Sequence, residues 1–453
     1  MITFYNKKND WFKVILISLL FSTVTTLAYA SQPVSTLKKI KIGVIGPMKF
    51  GVGQQEWWGA KIAADEINGA GGVVVKGVKH EIELVKADSN ETKSTTDAVN
   101  AMEKLITFDK VNFVTGGYVA EPVLAMQEVI ADYKVIYIGG AGTQMLTERV
   151  AKNYNRYKYY FRNIHSNETM FSSVIFSLID MEVEKIRTEL GISKPRVAFL
   201  LDKIQACEVM PEIGRTLLPK MGAEIAGVWR TSMRADDLSA ELTAIKASGA
   251  HIIYHFLAGP SATVFSKQWG ELRIPAATAG YNNELPWKRH WKDTNGMCEY
   301  EVGFCNIGRT EMTYKTIPFF DKFLRETGEY PTDHSSTYDN VYILKEAVER
   351  AGTFETEAVL GELEKTNSIG TRGRIAFYPR GHKWPHDKVF GAEYDTQVGV
   401  QWQKGSLMVV WPDGRHVVGG LDDKSMIGVK YKGTVDYKLP PWMVEYWKGK
   451  TGK

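Results

Sequence analysis

From Lys39 onward the chain repeats one rhythm: a short apolar run, a glycine stop, then an amphipathic stretch of helical length. Ile40–Gly46 reads as a strand, and Glu56–Asn68 as a helix with Ala60, Ile62, Ala63, Ala64 and Ile67 available to its inner face. Gly69-Ala70-Gly71-Gly72 stops that helix. Strand His80–Lys86, helix Ser94–Ile106, strand Val111–Thr115, helix Glu121–Tyr133 and strand Val135–Ile138 follow, the last two strands ended by Gly116-Gly117 and Gly139-Gly140. Strands separated by helices of this length predict right-handed βαβ units and a parallel sheet.

The rhythm restarts after Phe161. A long helix is expected over Thr169–Glu189, a strand over Val197–Leu201, a helix to about Met221, and strands at Glu224–Trp229, His251–Phe256 and Ala276–Ala279. Helices Tyr314–Thr327 and Tyr338–Ala351 come next, then a hairpin of Val398–Trp402 and Leu407–Trp411 across Gln403-Lys404-Gly405-Ser406. The fold class is α/β, with two Rossmann-like parallel-sheet lobes. No low-complexity linker divides them, which implies several chain crossings. Open α/β sheets bind ligands beyond the carboxyl ends of their strands, where strand order reverses. With two such sheets facing each other, that place is the cleft between lobes.

The first thirty residues read differently. Lys7, Lys8 and Lys13 precede an apolar run, Val14–Val24, and Ala28-Tyr29-Ala30 offers small residues for cleavage. This is the pattern of a secretory signal peptide, too short to span a bilayer comfortably. No Cys stands near the cleavage point for lipid attachment. Cleavage after residue 30 of 453 leaves 423 residues, a length that suggests two domains. The whole chain carries +4; three Lys and one Asp leave with the segment, so the remainder carries +2. That balance gives no argument for nucleic acid or an anionic membrane surface. Three cysteines occur, and Cys298 and Cys305 are expected to form a local disulfide in an oxidising compartment, with Cys207 a buried thiol.

Several segments in order carry a resemblance. Gly43-Val44-Ile45-Gly46-Pro47, Gly59-Ala60, Ala64–Val73, Val114–Gly117, Gly139–Thr143, Arg196-Val197-Ala198 and Tyr338-Asp339-Asn340 together resemble the leucine/isoleucine/valine-binding family of periplasmic proteins, type I fold. The resemblance covers residues 37 to about 415. It implies a two-lobed clamp that closes over a small molecule and docks on an ABC permease in the inner membrane. The implied lobes are 37–165 plus 308–373 and 166–307 plus 374–453, with hinges near Asn163–Ser166, Asn306–Gly308 and Gly373–Ile375. A periplasmic location, a monomer, and no enzymatic activity, cofactor, metal or nucleic-acid partner complete the expectation.

In that family the ligand carboxylate is held by amides and a hydroxyl after the third and fourth strands. Tyr118, Ala120 and Glu121, and Ala141, Gly142 and Thr143, occupy those places. Amides at a strand end that opens a helix suit an anion, and a plain helix cap is the alternative. Other family positions differ. Ala120 replaces a ligand-binding Ser, Asn167 and Asn282 stand where an acidic pair receives an ammonium, and Ala206 and Ala258 stand where aromatic residues line the second lobe. Losing the carboxylates removes the partner of a buried ammonium. An amide, a carboxylate without an amine, or an aromatic acid is then expected rather than a free branched-chain amino acid. Tyr281 and Asn282 are expected to present polar groups from the second lobe; Trp57 and Trp58 either wall the first or sit in its core. Glu121 either points into the cleft or favours its helix N-terminus by charge. Asp333 and His334 sit where the family sometimes contacts ligand, or in a solvated loop.

An enzyme is disfavoured: there is no phosphate-binding Gly-Lys loop, nucleophile elbow or metal-ligand pair at helical spacing. A soluble sensor partnering a chemoreceptor or sensor kinase is the alternative function.

Overall fold

Strand β1 (Lys38–Gly46) is almost wholly buried past its first two residues and delivers the chain to helix α1 (Gly51–Gly69). The structure, a computed structural model, describes residues 38–204, 207–417 and 426–451; the expected signal peptide lies outside them. Helix α1 begins five residues before the expected start. Glycine is a poor helix former, but Val52, Gly53 and Gln55 are buried there, so packing outweighs propensity. β2 (Val73–Val75) and β3 (Val78–Asp88) form an antiparallel hairpin over Lys76 and Gly77, whose φ angles of 49° and 79° suit a tight two-residue turn. Helix α2 (Thr95–Thr107) starts where Ser94 caps it, its hydroxyl accepting the Asp97 amide at 3.1 Å. β4 (Phe113–Gly116), α3 (Ala120–Tyr133), β5 (Ile136–Gly139), α4 (Met145–Lys152), the single turn α5 (Tyr154–Tyr157) and β6 (Tyr160–Arg162) complete this half.

The six strands stand in the order β2-β3-β1-β4-β5-β6. β4 and β5 are buried on both faces, so they read as continuous apolar runs. Each fully buried Val or Ile there contributes about 1.5–3 kcal/mol over an exposed one. Strand order reverses between β1 and β4, so the expected ligand position lies beyond Gly46 and Gly116.

The second half opens with helix α6 (Glu168–Leu190), followed by β7 (Arg196–Asp202), α7 (Met210–Leu217), β8 (Glu224–Thr231), α8 (Ser239–Ala247), β9 (Ile252–Leu257), α9 (Ser261–Glu271) and β10 (Ala277–Asn282). Its four strands are parallel in the order β10-β9-β7-β8. A short helix α10 (His290–Asp293) and β11 (Val302–Cys305) follow. Helices α11 (Thr316–Thr327), α12 (Thr337–Ala351) and α13 (Thr356–Leu363), with the two-residue strands β12 (Ser368–Ile369) and β13 (Arg374–Ile375), return to the first half. β14 (Val398–Gln403), β15 (Ser406–Trp411) and helix α14 (Pro441–Thr451) rejoin the second. β11, β14 and β15 form an antiparallel sheet, and the β14–β15 turn is Lys404-Gly405, both at positive φ. No described helix is long and apolar enough to cross a membrane.

Core membership marks the lobes. One core takes residues from Ile40 to Phe161 and again from Ile307 to Phe377. Three other clusters take residues from Phe171 to Cys305 and from Val398 to Met443. The chain therefore crosses three times. The third crossing falls later than Gly373–Ile375, because Ile375 and Phe377 still pack in the first core. Buried ion pairs line these crossings. Arg162 and Asp387 are fully buried and joined through two contacts, and Asn167 and Thr147 also donate to that carboxylate. Arg372 and Lys388 share Asp395.

The expected disulfide is corrected. Cys207, Cys298 and Cys305 are all free and buried. Cys305 ends strand β11, whereas Cys298 stands in the turn before it, its carbonyl accepting the Glu301 amide at 2.9 Å; both thiols pack in one apolar cluster without bonding to each other.

Candidate ligand-binding site

The carboxyl ends of β1, β4 and β5 converge on a buried polar cluster. Glu56, on the inner face of α1, lies against the end of β1: a Cβ on Gly46 would stand 1.7 Å from Glu56 Oε2. Glu56 is wholly buried, and neither carboxyl oxygen makes a hydrogen bond among the described residues. Its Oε1 is 3.9 Å from Nδ1 of His334, another buried atom without a hydrogen bond there. The 3-10 turn Asp333–Ser336 supplies Asp333, whose Oδ2 is 3.3 Å from His165 Nε2 and whose Oδ1 is 3.6 Å from His334 Nε2. The Tyr118 ring closes the group, edge-on to His334 at 5.2 Å and 6.1 Å from His165.

The strand-end amides in this cluster already have partners. Glu91 Oε2 accepts the amides of Tyr118 at 3.1 Å and Val119 at 2.9 Å. His165 Nδ1 accepts the Ala141 amide at 2.7 Å. Burial and the nearby Glu91 push Glu56 well above the ordinary carboxyl range; the Gly117 amide, which donates to the Ile45 carbonyl rather than to Glu56, lies close enough to offset part of this. Burial also raises Glu91, against its amide bonds to Val119 and Tyr118. Burial lowers His165 to about 3 and lowers His334 as well, so both rings are neutral near pH 7. Burial opposes the charge on Asp333, but His334, His165, Arg372 and Lys388 together bring it below its usual value. The Tyr118 hydroxyl is pushed up to about 12, first by burial and then by Asp333, Glu284 and Glu91.

Across from this cluster stand residues of the second half. Tyr281 is held far above its usual range by burial, with Tyr118, Asp333, Glu284 and Asp202 adding to the effect. Its ring belongs to an aromatic row with Phe256 at 4.9 Å and Phe304 at 5.6 Å, and Phe171 stacks on Phe304 at 5.8 Å. Trp287 reaches the first lobe: a Cβ on Gly51 would stand 2.7 Å from its ring.

The other residues singled out by sequence are distributed unevenly. Ala120 opens α3, and Glu121 is exposed in its first turn, where its charge favours the helix N-terminus. Gly142 is exposed; Thr143 accepts the Met145 amide at its hydroxyl and Arg162 at its carbonyl. Asn167 caps α6 by accepting the Met170 amide, and donates to Asp387. Asn282 accepts the amides of Glu284 and Leu285 and donates to Glu301 and Ser266. Both asparagines are therefore engaged in structural bonds. The Ala258 amide donates to Asp202 at 2.7 Å, and Ala206 lies outside the described residues. Trp57 and Trp58 pack against the first core, with Lys86 over the Trp57 ring.

A family model described as periplasmic binding protein matches residues 39–397. The chain belongs to the periplasmic binding protein family. It is 24% identical over 406 residues to a Leu/Ile/Val-binding protein homolog of Brucella suis, covering 86% of this chain and 95% of that one. Among solved structures it resembles a putative branched-chain amino acid ABC transporter protein of Silicibacter pomeroyi, at 18% identity and TM-score 0.72, covering 89% of this chain and 100% of that one. It also resembles a solute-binding protein of Rhodopseudomonas palustris solved with 3,4-dihydroxybenzoic acid, at 19% identity and TM-score 0.63, over 82% and 95% of the two chains.

Within this periplasmic binding protein, Glu56, Glu91 and His165 escape the sequence reading. Glu56 alone leaves a signal: it sits four residues before Ala60 on the apolar face of a helix, where a carboxylate is out of place. His165, Asp333 and His334 bring donor atoms within 4.8 Å of one another, a spacing that could hold a metal ion. The bond from Ala141 argues against it. With Nδ1 accepting, a neutral His165 carries its proton on Nε2, the atom facing Asp333.

Proposed function

We propose that the chain is the extracytoplasmic solute-binding component of an ABC importer of the branched-chain amino acid and amide type. It captures a small organic solute between its lobes and presents the closed form to an inner-membrane permease. One observation carries this reading: the wholly buried, unbonded Glu56 carboxyl beyond the strand ends of the first lobe, opposite Tyr281 and its aromatic row. A buried polar group without a partner costs about 1–3 kcal/mol, a cost that a bound solute would offset. The residues lining the cleft provide binding groups rather than a catalytic set. Closure is a hinge motion favoured by contacts from both lobes.

The test has two arms. Thermal melts are recorded against branched-chain amino acids, short amides, aliphatic carboxylates, aromatic acids and amines. A solute at a hundred times its dissociation constant adds about 2.7 kcal/mol of stability, which a melt registers. A membrane pull-down with the loaded protein is expected to recover a permease. Recovery of a sensor kinase or chemoreceptor instead would replace the importer role with the sensing role.

A further inference from the structure

Beside the strand ends of the first lobe lies a buried carboxyl, that of Glu56, with no hydrogen-bond partner among the described residues. The amides of Tyr118, Val119 and Ala141 are given to Glu91 and His165, so at these three amides an incoming carboxylate would have to displace an internal acceptor. The nearby cations are committed as well. Arg162 is paired with Asp387, and Arg372 and Lys388 with Asp395; Arg289 is bonded to Glu284 and lies over the Trp287 ring. Without a partner among the described residues are the buried oxygens of Glu56 and Nδ1 of His334; beside them the Asp333 carboxylate accepts the His334 amide at 3.1 Å and faces His165 Nε2 at 3.3 Å, with lone pairs to spare. Tyr281, on which Tyr118 and Asp333 act electrostatically, carries a row of rings with Phe256 and Phe304. Carboxylates beside aromatic rings make a site for an organic cation, because the ring faces attract positive charge.

Resting on the clamp reading above, we propose that the cleft takes an organic amine without a carboxylate, its ammonium seated at Asp333 and Glu56 and its body against the Tyr281 row. This differs from the amide or acid expected from Asn167 and Asn282, whose side-chain oxygens accept local amides. The exchange balances in charge: the ammonium enters with its proton, Glu56 ionises to receive it, and the Glu56 proton leaves to solvent.

The protein expressed from its full-length sequence is titrated calorimetrically with butylamine, 2-phenylethylamine and putrescine, with butyrate and 3-phenylpropionate as matched acids, and with leucine and zinc chloride. At least one amine is expected to bind, with proton release that varies with the ionisation enthalpy of the buffer. Asp333→Asn is expected to weaken it tenfold or more, and Glu56→Gln to abolish the proton release, with melts confirming that both variants fold. Binding of acids but of no amine overturns the amine inference and leaves the clamp standing. Zinc binding without amine binding likewise overturns it. Unchanged amine affinity in both folded variants overturns the assignment to this cluster. If no solute in this series or the wider panel binds, the amine inference and the clamp reading fail together.

Discussion

The Val119 amide points at Glu91 Oε2 across 2.9 Å, and the Tyr118 amide reaches the same oxygen at 3.1 Å. A side chain from the loop after β3 thus fills the anion position that the start of α3 creates. Ser89 donates to the other oxygen at 2.8 Å. Three donors on one buried carboxylate fix the turn after β4.

Replacing Glu91 by Ala strands two amides at once. A buried donor left unpaired costs about 1–3 kcal/mol, so urea unfolding of Glu91→Ala should show at least that loss. A loss below 0.5 kcal/mol, on the scale of about 1 kcal/mol expected for an ordinary hydrogen bond, would mean that water replaces the carboxylate.

The Arg162–Asp387 pair is completely buried where the first crossing meets the third. Removing one partner of such a pair costs about 3–5 kcal/mol. Arg162→Met and Asp387→Leu should each fall in that range by denaturant unfolding. The double variant should lose much less than the sum, because no lone charge then stays buried. Simple addition of the two losses would show that the residues act separately.

His255 is wholly buried, and neither ring nitrogen makes a hydrogen bond among the described residues. Burial lowers it to about 4, the nearby Glu301 opposing. The unfolded chain takes up this proton first as pH falls below about 6.5. The ring's contribution is therefore complete above pH 6.5 and is lost progressively toward pH 4, at a limiting slope of about 1.4 kcal/mol per pH unit. His165, lowered to about 3, acts in the same direction over a longer range. His255→Phe should flatten the stability profile between pH 6.5 and 4 by about that slope. A profile parallel to the parent's would place the acid sensitivity elsewhere.

Gly46 lies beneath Glu56 with no room for a methyl group, whereas a Cβ on Gly69 meets nothing within 4 Å. Gly46→Ala should destabilise by about 1–3 kcal/mol, as overpacking does. Adding Glu56→Ala should recover most of that, and Gly69→Ala should stay within about 1 kcal/mol of the parent. Equal unfolding midpoints for Gly46→Ala and Gly69→Ala would refute the close approach.

Local chemistry was readable where it stays local. Ser94 caps α2 at the expected boundary because capping needs only a hydroxyl and an amide three residues on. Asn167 and Asn282 show the limit. An asparagine that caps a turn and one that holds a ligand have the same chemistry, and only the folded partners, Met170 and Glu284 among them, tell which it is. Glu56 and Glu91 were missed because their neighbours, Asp333 and the Tyr118 turn, are far away in the chain. Cys298 and Cys305 were misread because a spacing of seven says nothing about the turn and the strand they stand in. The α/β alternation was legible throughout, since apolar periodicity reports burial directly.

The first core draws on residues before Phe161 and again after Ile307, with the second lobe's first stretch between them. A chain made from its N-terminus can pair β1, β4 and β5 early, yet the apolar seats for α11 and α12 stay empty until those helices emerge. Domains that are continuous in sequence can fold as they are made. This lobe cannot finish until residue 377 has been synthesised, so its open, helix-accepting surface persists while the whole first stretch of the second lobe is made. A protein arranged in this way spends its synthesis in a partly open state and completes its first-made lobe near the end.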